Sequence, residues 1–400
     1  MGVLSSEMAR HLRELCAYPD RHPGRPGNRA ATQMFARVAA SCGLEVEVGE
    51  MECLDFERGE ASLDGPGETF AITSGPYSNA CRVTGRLAVV ESIEALEEGR
   101  FAGQVLLLRG EVAREPLLPK NFTYFEAPEH RRIVAALEGQ QPAAVISATG
   151  RDPNLAGGLY PFPLICDGDF DIPNAFMSDV EGERLARHPG ETVALRIDSR
   201  RIQAGAEHVV ARARGTGAGR IVVFGHIDSW DGAPGALDNG TGVAALLGLA
   251  WLLAEYRGKP TVELVPLNGE DYYGATGEKR FERDNEGRWD DIVLGMNVDA
   301  AGWRGHGTEV SLFGCDEAQE SVIRSAVAGR AGIEIGEPWY QSDHGLFLLH
   351  GRPALAVVSA DYMELASTIT HTTADTLDKA DPEKVAEVSR LLHDVILSLG

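Results

Sequence analysis

The sequence predicts an α/β protein, a mainly parallel sheet flanked by helices, with a second, smaller α/β unit inserted near its start. Three observations lead there. From residue 208 onward, short apolar runs alternate with helical patterns, which is how buried parallel strands and their crossover helices read. A break in periodicity around 55–80, rich in Gly, Pro and Ser, marks a boundary. A compact strand–helix stretch follows that break and ends before the second alternating region.

In chain order, residues 7–17 and 29–43 carry apolar positions at helical spacing, separated by the Pro- and Gly-rich loop "YPDRHPGRPGN". "LEVEVGEM", 44–51, alternates and reads as a strand. In the insertion, "QVLLLRG" (104–110) and "AAVISA" (143–148) read as strands around a helix in "EAPEHRRIVAALEG". "FDIPNAFMS" leads to a short helix at 179–187 and the strand "TVALRI". The later strands are "HVVARARG", "RIVVFGH", "TVELVPLN", "DIVLGMNVD", "EVSLFG" and "PALAVVS". Helices are expected at 239–256, 316–330, 343–350 and 382–398. The expected domains are 1–57 and 199–400, which form one unit, and the insertion 58–198.

Composition narrows the functions. Four hundred residues, 44% hydrophobic, suffice for two cores. The net charge of -23, from 60 acidic against 37 basic residues, excludes the basic patches that nucleic acid and anionic membranes need. No apolar run approaches the roughly 18 residues of a membrane span. The six cysteines are scattered without a CxxC pair, and the start of the chain has no signal-peptide core, so a cytoplasmic protein with reduced thiols is expected. "NFT" at Asn121 fits a glycosylation acceptor, a pattern without meaning in a cytoplasmic chain.

Chemistry gathers at the strand ends, where ligands bind in open α/β sheets. "IVVFGHID" ends on His226 and Asp228, "VELVPLNGED" on Glu270 and Asp271, and "VLGMNVDAAG" on Asp299. A Gly-rich loop delivers Asp238, and a late loop, "TITHTTADTLDK", carries His371. Singly each has a bland explanation: a core histidine, a helix cap, a turn. Together they place metal-ligand residue types at one edge of one sheet. That set suits a two-metal hydrolytic site, in which two divalent cations act on one water. Such a site also needs a carboxylate that is not a ligand to move the proton. Asp228 lies two residues after His226, on the same side of a strand, and is the natural carboxylate to orient that imidazole.

"GHIDS…GALDNGTG…NGED…NVDAAG…ITHTTADT" resembles the zinc aminopeptidase and glutamate carboxypeptidase family. The resemblance implies the zinc exopeptidase-like phosphorylase/hydrolase fold and two zinc ions, with Co²⁺ or Mn²⁺ as alternatives. It implies His226, Asp238 and Asp299 on one ion, and Asp238, Asp271 and His371 on the other. Glu270 would be the general base and Asp228 the partner of His226. "HPGRPGNRAATQMF" resembles the family's opening helix and loop. Residues 58–198 resemble the protease-associated domain, expected to shape the cleft or to make the subunit contacts of a homodimer. Two departures stand out. Asp271 replaces the second Glu of the usual pair, and Thr370 stands where some members place a Tyr before the last histidine. Tyr340 is the expected substitute donor to an oxyanion, and Asp343, in "YQSDHGLF", resembles a segment near the pocket. The expected substrate is a peptide cut from its N-terminus. A carboxypeptidase, using Arg304 or Arg352 for the terminal carboxylate, is the alternative, and a non-catalytic receptor-like module is a third reading.

Overall fold

The structure, a computed structural model, describes residues 2–120, 122 and 127–400; the acceptor pattern at Asn121 lies outside them. Runs of Val, Ile and Leu form the centre of the first sheet. Thr261–Val265, Arg220–Phe224, Ile292–Val298 and Ala354–Ser359 lie side by side and parallel. Nearly all their residues are buried, as strands covered on both faces must be. Arg200–Ala213 pairs antiparallel on one side, and Thr308–Phe313 antiparallel on the other. Glu45–Glu57 and Ile333–Ile335 complete an eight-stranded sheet. The sheet thus has a parallel centre and mixed flanks. Apolar runs report burial, not strand direction, so the flanks could not be told from the centre.

Val3–Ala17, Pro26–Ser41, Gly242–Leu252 and Pro382–Leu399 pack together over this sheet in one continuous core. Gly242–Leu252 is apolar all round and almost wholly buried. A Cβ on Gly248 would lie 2.4 Å from Ser389 Oγ, so this glycine permits the close crossing of Pro382–Leu399. Ser389 Oγ in turn donates to Ala245 O at 3.0 Å. These elements form one compact unit, Met1–Cys53 with Ala204–Gly400.

Leu54–Gln203 forms the second unit. Its sheet also has eight strands and a parallel centre, Cys81–Val90, Val105–Leu108, Ala144–Thr149 and Asn174–Ser178. Thr192–Ile197 pairs antiparallel with both Cys81–Val90 and Ala61–Asp64. Ile93–Glu98, Pro128–Gln140 and Asp179–Leu185 are its α-helices. The sequence reading left out Cys81–Val90, most of which is partly or fully exposed and which carries Arg, Thr and Gly. It also left out the helices Thr276–Asp284 and Tyr362–Thr368 and the strand Ile333–Ile335.

Candidate active site

Three of the four parallel strands of the first unit end at one cluster. Phe224 ends its strand two residues before His226, Val265 ends its strand before the turn that presents Glu270 and Asp271, and Val298 immediately precedes Asp299. Asp238 lies in an irregular turn, Ala236–Thr241, ahead of Gly242–Leu252, and is joined to Asn239 by a cis peptide bond. Asn239 ties that turn to the next strand end. Its Nδ2 donates to Val298 O at 2.8 Å, and its Oδ1 accepts from Gly242 N at 2.9 Å.

The side chains converge. His226 Nε2 lies 3.1 Å from Asp238 Oδ1 and 3.6 Å from Asp299 Oδ1. His371 Nε2 lies 3.2 Å from Asp238 Oδ2 and 2.7 Å from Asp271 Oδ1. Asp238 therefore turns one oxygen to each imidazole. Ligand-type atoms of His226, Asp238 and Asp299 fall within 4.8 Å of one another, as do those of Asp238, Asp271 and His371, and those of His226, Glu270 and Asp271. Asp271 Oδ2 is buried without a hydrogen-bond partner. Buried carboxylates without donors demand a counter-charge. Two imidazoles with shared carboxylates are the donor set of a zinc pair, so the residues fit two divalent cations.

Asp228 is fully buried, and its shortest contacts are not with His226. Its Oδ1 lies 3.7 Å from His226 Nδ1, beyond hydrogen-bond range. Oδ1 accepts from Gly269 N at 2.6 Å and Oδ2 from Asp271 N at 3.1 Å. Asp228 thus shapes the turn that carries Glu270 and Asp271. Burial opposes its charge, but His226 and these amides outweigh it and hold its pKa below the usual range. Glu270 differs: burial pushes its carboxyl well above that range, Asp271, Asp343 and Asp299 add to this, and only His226 opposes. Asp238 is held low, because contacts with His226 and His371 overcome its burial.

Tyr340 and Asp343 stand apart from this expectation. Tyr340 is 68% exposed, with its ring against Phe313. Asp343 is wholly buried, so it has no surface for a substrate; its carboxyl faces that of Glu278. Its neighbour Ser342 reaches the cluster, donating to Asp299 Oδ2 at 2.7 Å.

Sequence reasoning missed further residues. Trp230 stacks on His371, ring centroids 4.6 Å apart. Tyr362 feels Asp299, Asp238, Glu270 and Asp271, and burial with these charges pushes its hydroxyl well above the phenol range. Asp375 accepts from Leu237 N and Asp238 N at 2.7 and 3.0 Å. Arg21, from the opening loop, lies buried beneath the loop that leads to Asp238. Position in sequence gave only one hint, the placement of Asp375 four residues after His371.

Known proteins share this arrangement of chain. The Aspergillus oryzae protein described as probable leucine aminopeptidase 2 is 27% identical over 302 residues, 70% of this chain and 56% of its own length. The chain thus spans little more than half of that relative. The Aspergillus fumigatus counterpart is 24% identical over 360 residues, 84% of this chain and 68% of its own. An aminopeptidase from Aneurinibacillus sp. strain AM-1 shares the fold with a TM-score of 0.78 at 21% identity, over 98% of this chain and 93% of that one. A zinc aminopeptidase from Bacillus subtilis does so with a TM-score of 0.70 at 15% identity, over 98% and 94%. Residues 208–396, which hold every residue of the cluster, match peptidase family M28.

Proposed function

We propose that this protein is an aminopeptidase that uses two divalent cations, zinc ions, to release N-terminal residues from peptides. The observation that carries the reading is Asp238, with one oxygen 3.1 Å from His226 and the other 3.2 Å from His371. His226, Asp238 and Asp299 would hold one ion, and Asp238, Asp271 and His371 the other. Bound there, the pair supplies Lewis acidity to the scissile carbonyl and lowers the pKa of the attacking water.

The chain's own groups do the rest. Glu270 takes the proton from the water and passes it to the leaving amine. Its burial raises its proton affinity, which suits a group that must accept a proton and then give it up. Asp228, through the amides of Gly269 and Asp271, fixes the turn that aims Glu270. Tyr362, whose hydroxyl keeps its proton among the carboxylates, is the candidate donor to the developing oxyanion, the role first expected of the exposed Tyr340.

Two observations favour the aminopeptidase over the carboxypeptidase. Arg352 donates to Ile292 O and pairs with Asp290 at 3.0 Å, at the start of the strand whose far end carries Asp299. Arg304 donates to the carbonyls of Asp378 and Ala380. Both candidates for a substrate carboxylate are thus engaged elsewhere. The unit Leu54–Gln203 is read as protease-associated, without a catalytic group. The test is hydrolysis of a leucyl peptide with a free or an acetylated N-terminus, alongside elemental analysis. The free peptide alone should be cut, with two zinc ions per chain. Preferential cleavage of the blocked peptide would favour the carboxypeptidase, and a protein without metal would sink the reading.

A further inference from the structure

The route from His226 to Asp238 is an irregular loop, "IDSWDGAPGALD", and its backbone groups need partners wherever they are buried. Arg21 and Asp375 supply them. Arg21, 1% exposed, donates from Nε to Ile227 O at 3.0 Å, from one terminal nitrogen to Pro234 O at 2.9 Å, and from the other to Gly235 O at 2.8 Å. The nitrogen that reaches Pro234 also donates to Leu15 O at 3.3 Å, in the first helix. Asp375, 0% exposed, accepts from the amides of Leu237 and Asp238, and its own carbonyl accepts from Ala236 N at 3.3 Å.

The pattern is ordered. Arg21 collects the carbonyls at 227, 234 and 235, and Asp375 collects the amides at 236 through its backbone carbonyl and at 237 and 238 through its carboxyl. Among the described residues, no carboxylate lies within ion-pair distance of Arg21. Buried charges normally persist by pairing, so here the backbone of this loop takes the place of a partner. Gly235 confirms how close the approach is. A Cβ there would lie 2.6 Å from the Arg21 guanidinium and 2.5 Å from Ser229 Cβ, and its φ of +60° suits glycine. The loop that holds Asp375 also holds His371, so one segment sets a ligand and the backbone of the carboxylate between the two imidazoles.

We infer that Arg21 and Asp375 are positioning residues for Asp238: together they clamp the segment 234–238 and so preset the spacing of the two metal positions. The inference rests on the two-cation reading above. It gives the N-terminal segment a part in the site that its sequence distance conceals.

The experiment measures zinc affinity, by competition with a chromophoric chelator, on the full chain and on Arg21→Lys and Asp375→Asn. Lysine keeps the charge and loses the fork; asparagine keeps the shape and turns one acceptor into a donor. Groups that orient ligands typically contribute about 10- to 100-fold in metal affinity, so both variants should bind zinc at least tenfold more weakly at both positions. Near-UV circular dichroism of the metal-free variants should match the parent. Excess zinc should restore kcat while KM stays within about twofold, which a loss of stability alone would not produce. If the parent binds two ions and folded variants bind them with unchanged affinity, the inference is wrong and the two-cation reading stands. If the parent binds none, both fall together. Should Arg21→Lys fail to fold, Asp375→Asn decides alone; failure of both to fold would assign the pair to the fold rather than to the site.

Discussion

Both units of this chain build an eight-stranded sheet with a parallel centre, and both present loops at the carboxyl ends of the central strands. In the first unit those ends carry His226, Glu270, Asp271 and Asp299. In the second they carry Arg109 and Gly110 after Val105–Leu108, and Gly150 and Arg151 after Ala144–Thr149. The architecture offers the same position twice, and the residue types there decide the outcome. One end gathers more carboxylates than its two imidazoles can match, and the other gathers cations that carboxylates already meet. Arg109, for instance, lies 3.1 Å from Glu91 and 2.6 Å from Glu183. A fold provides the place, and the side chains supply the chemistry.

The comparison breaks most visibly at Asp238. Asp238→Ala removes the carboxylate that turns one oxygen to each imidazole, so both ions should be lost. Metal chemistry is worth several kcal/mol of transition-state stabilisation, so turnover should fall on the order of 10⁴-fold. Elemental analysis of the purified variant checks it. Retention of two ions would show that Asp238 does not bridge.

Glu270 and Asp271 sharpen it, because they are neighbours with opposite tasks. Glu270→Gln keeps the shape and removes the base, so turnover should fall by roughly 10²- to 10⁴-fold with metal content unchanged. Asp271→Asn should weaken metal binding instead, and excess zinc should recover part of the activity. A fully active Glu270→Gln, or one that loses metal as readily as Asp271→Asn, would reverse the two assignments.

The strand ends were legible because a buried apolar run makes the following polar residue conspicuous. His226, Asp299 and the Glu270–Asp271 pair all follow such runs. Asp238 and His371 lie in loops, and their place followed from motif order. Arg21 was illegible for a physical reason: its partners are backbone carbonyls, which carry no sequence signature, and they lie more than 200 residues away. Cys81–Val90 escaped because its first half alternates between partly and fully exposed positions. Thr276–Asp284 escaped because only one large apolar residue, Phe281, anchors it. Asp343 was placed by its motif alone. Its motif suggested a pocket, but the chain turns it inward against Glu278.

Acid should separate the two units more gently. His208, 3% exposed and with neither ring nitrogen hydrogen-bonded, has its pKa lowered from 6.5 to about 4, chiefly by burial. His11 is lowered to about 4 for the same leading reason. Both lie in the first unit. A lowered folded pKa means that the unfolded chain binds more protons between pH 4 and 6.5, so stability rises with pH there. The contribution is complete above pH 6.5 and is lost as pH falls to 4. For His208 it amounts to roughly 2 kcal/mol lost at pH 5 relative to pH 8. His208→Leu should therefore flatten the acid limb of the Tm–pH curve. Hydrogen exchange should show the parent loosening first in Met1–Cys53 and Ala204–Gly400. An unchanged acid limb in the variant would remove His208 from the account.

The smallest expected effect is the strictest test of the comparison. At the strand ends of the second unit a cavity of about 290 Å³ is lined by Arg109, Arg114, Arg151 and a single carboxylate, Asp179. Its charge is opposite in sign to what a metal pair needs, and no His joins it. Arg151 lies over the Tyr160 ring, 4.5 Å from its centroid. An exposed contact of that kind is worth about 0.5–1 kcal/mol, enough to lower Tm slightly and too little to unfold the unit. Arg109→Ala and Arg151→Ala should therefore leave zinc content and turnover of a dipeptide substrate within about twofold of the parent, since neither is among the residues proposed to carry the chemistry. A fall of tenfold or more in kcat, with Tm and metal content preserved, would mean that the strand ends of the second unit do take part in catalysis. The two sheets would then share the reaction, and the sign of the charge at their ends would no longer explain which one is the enzyme.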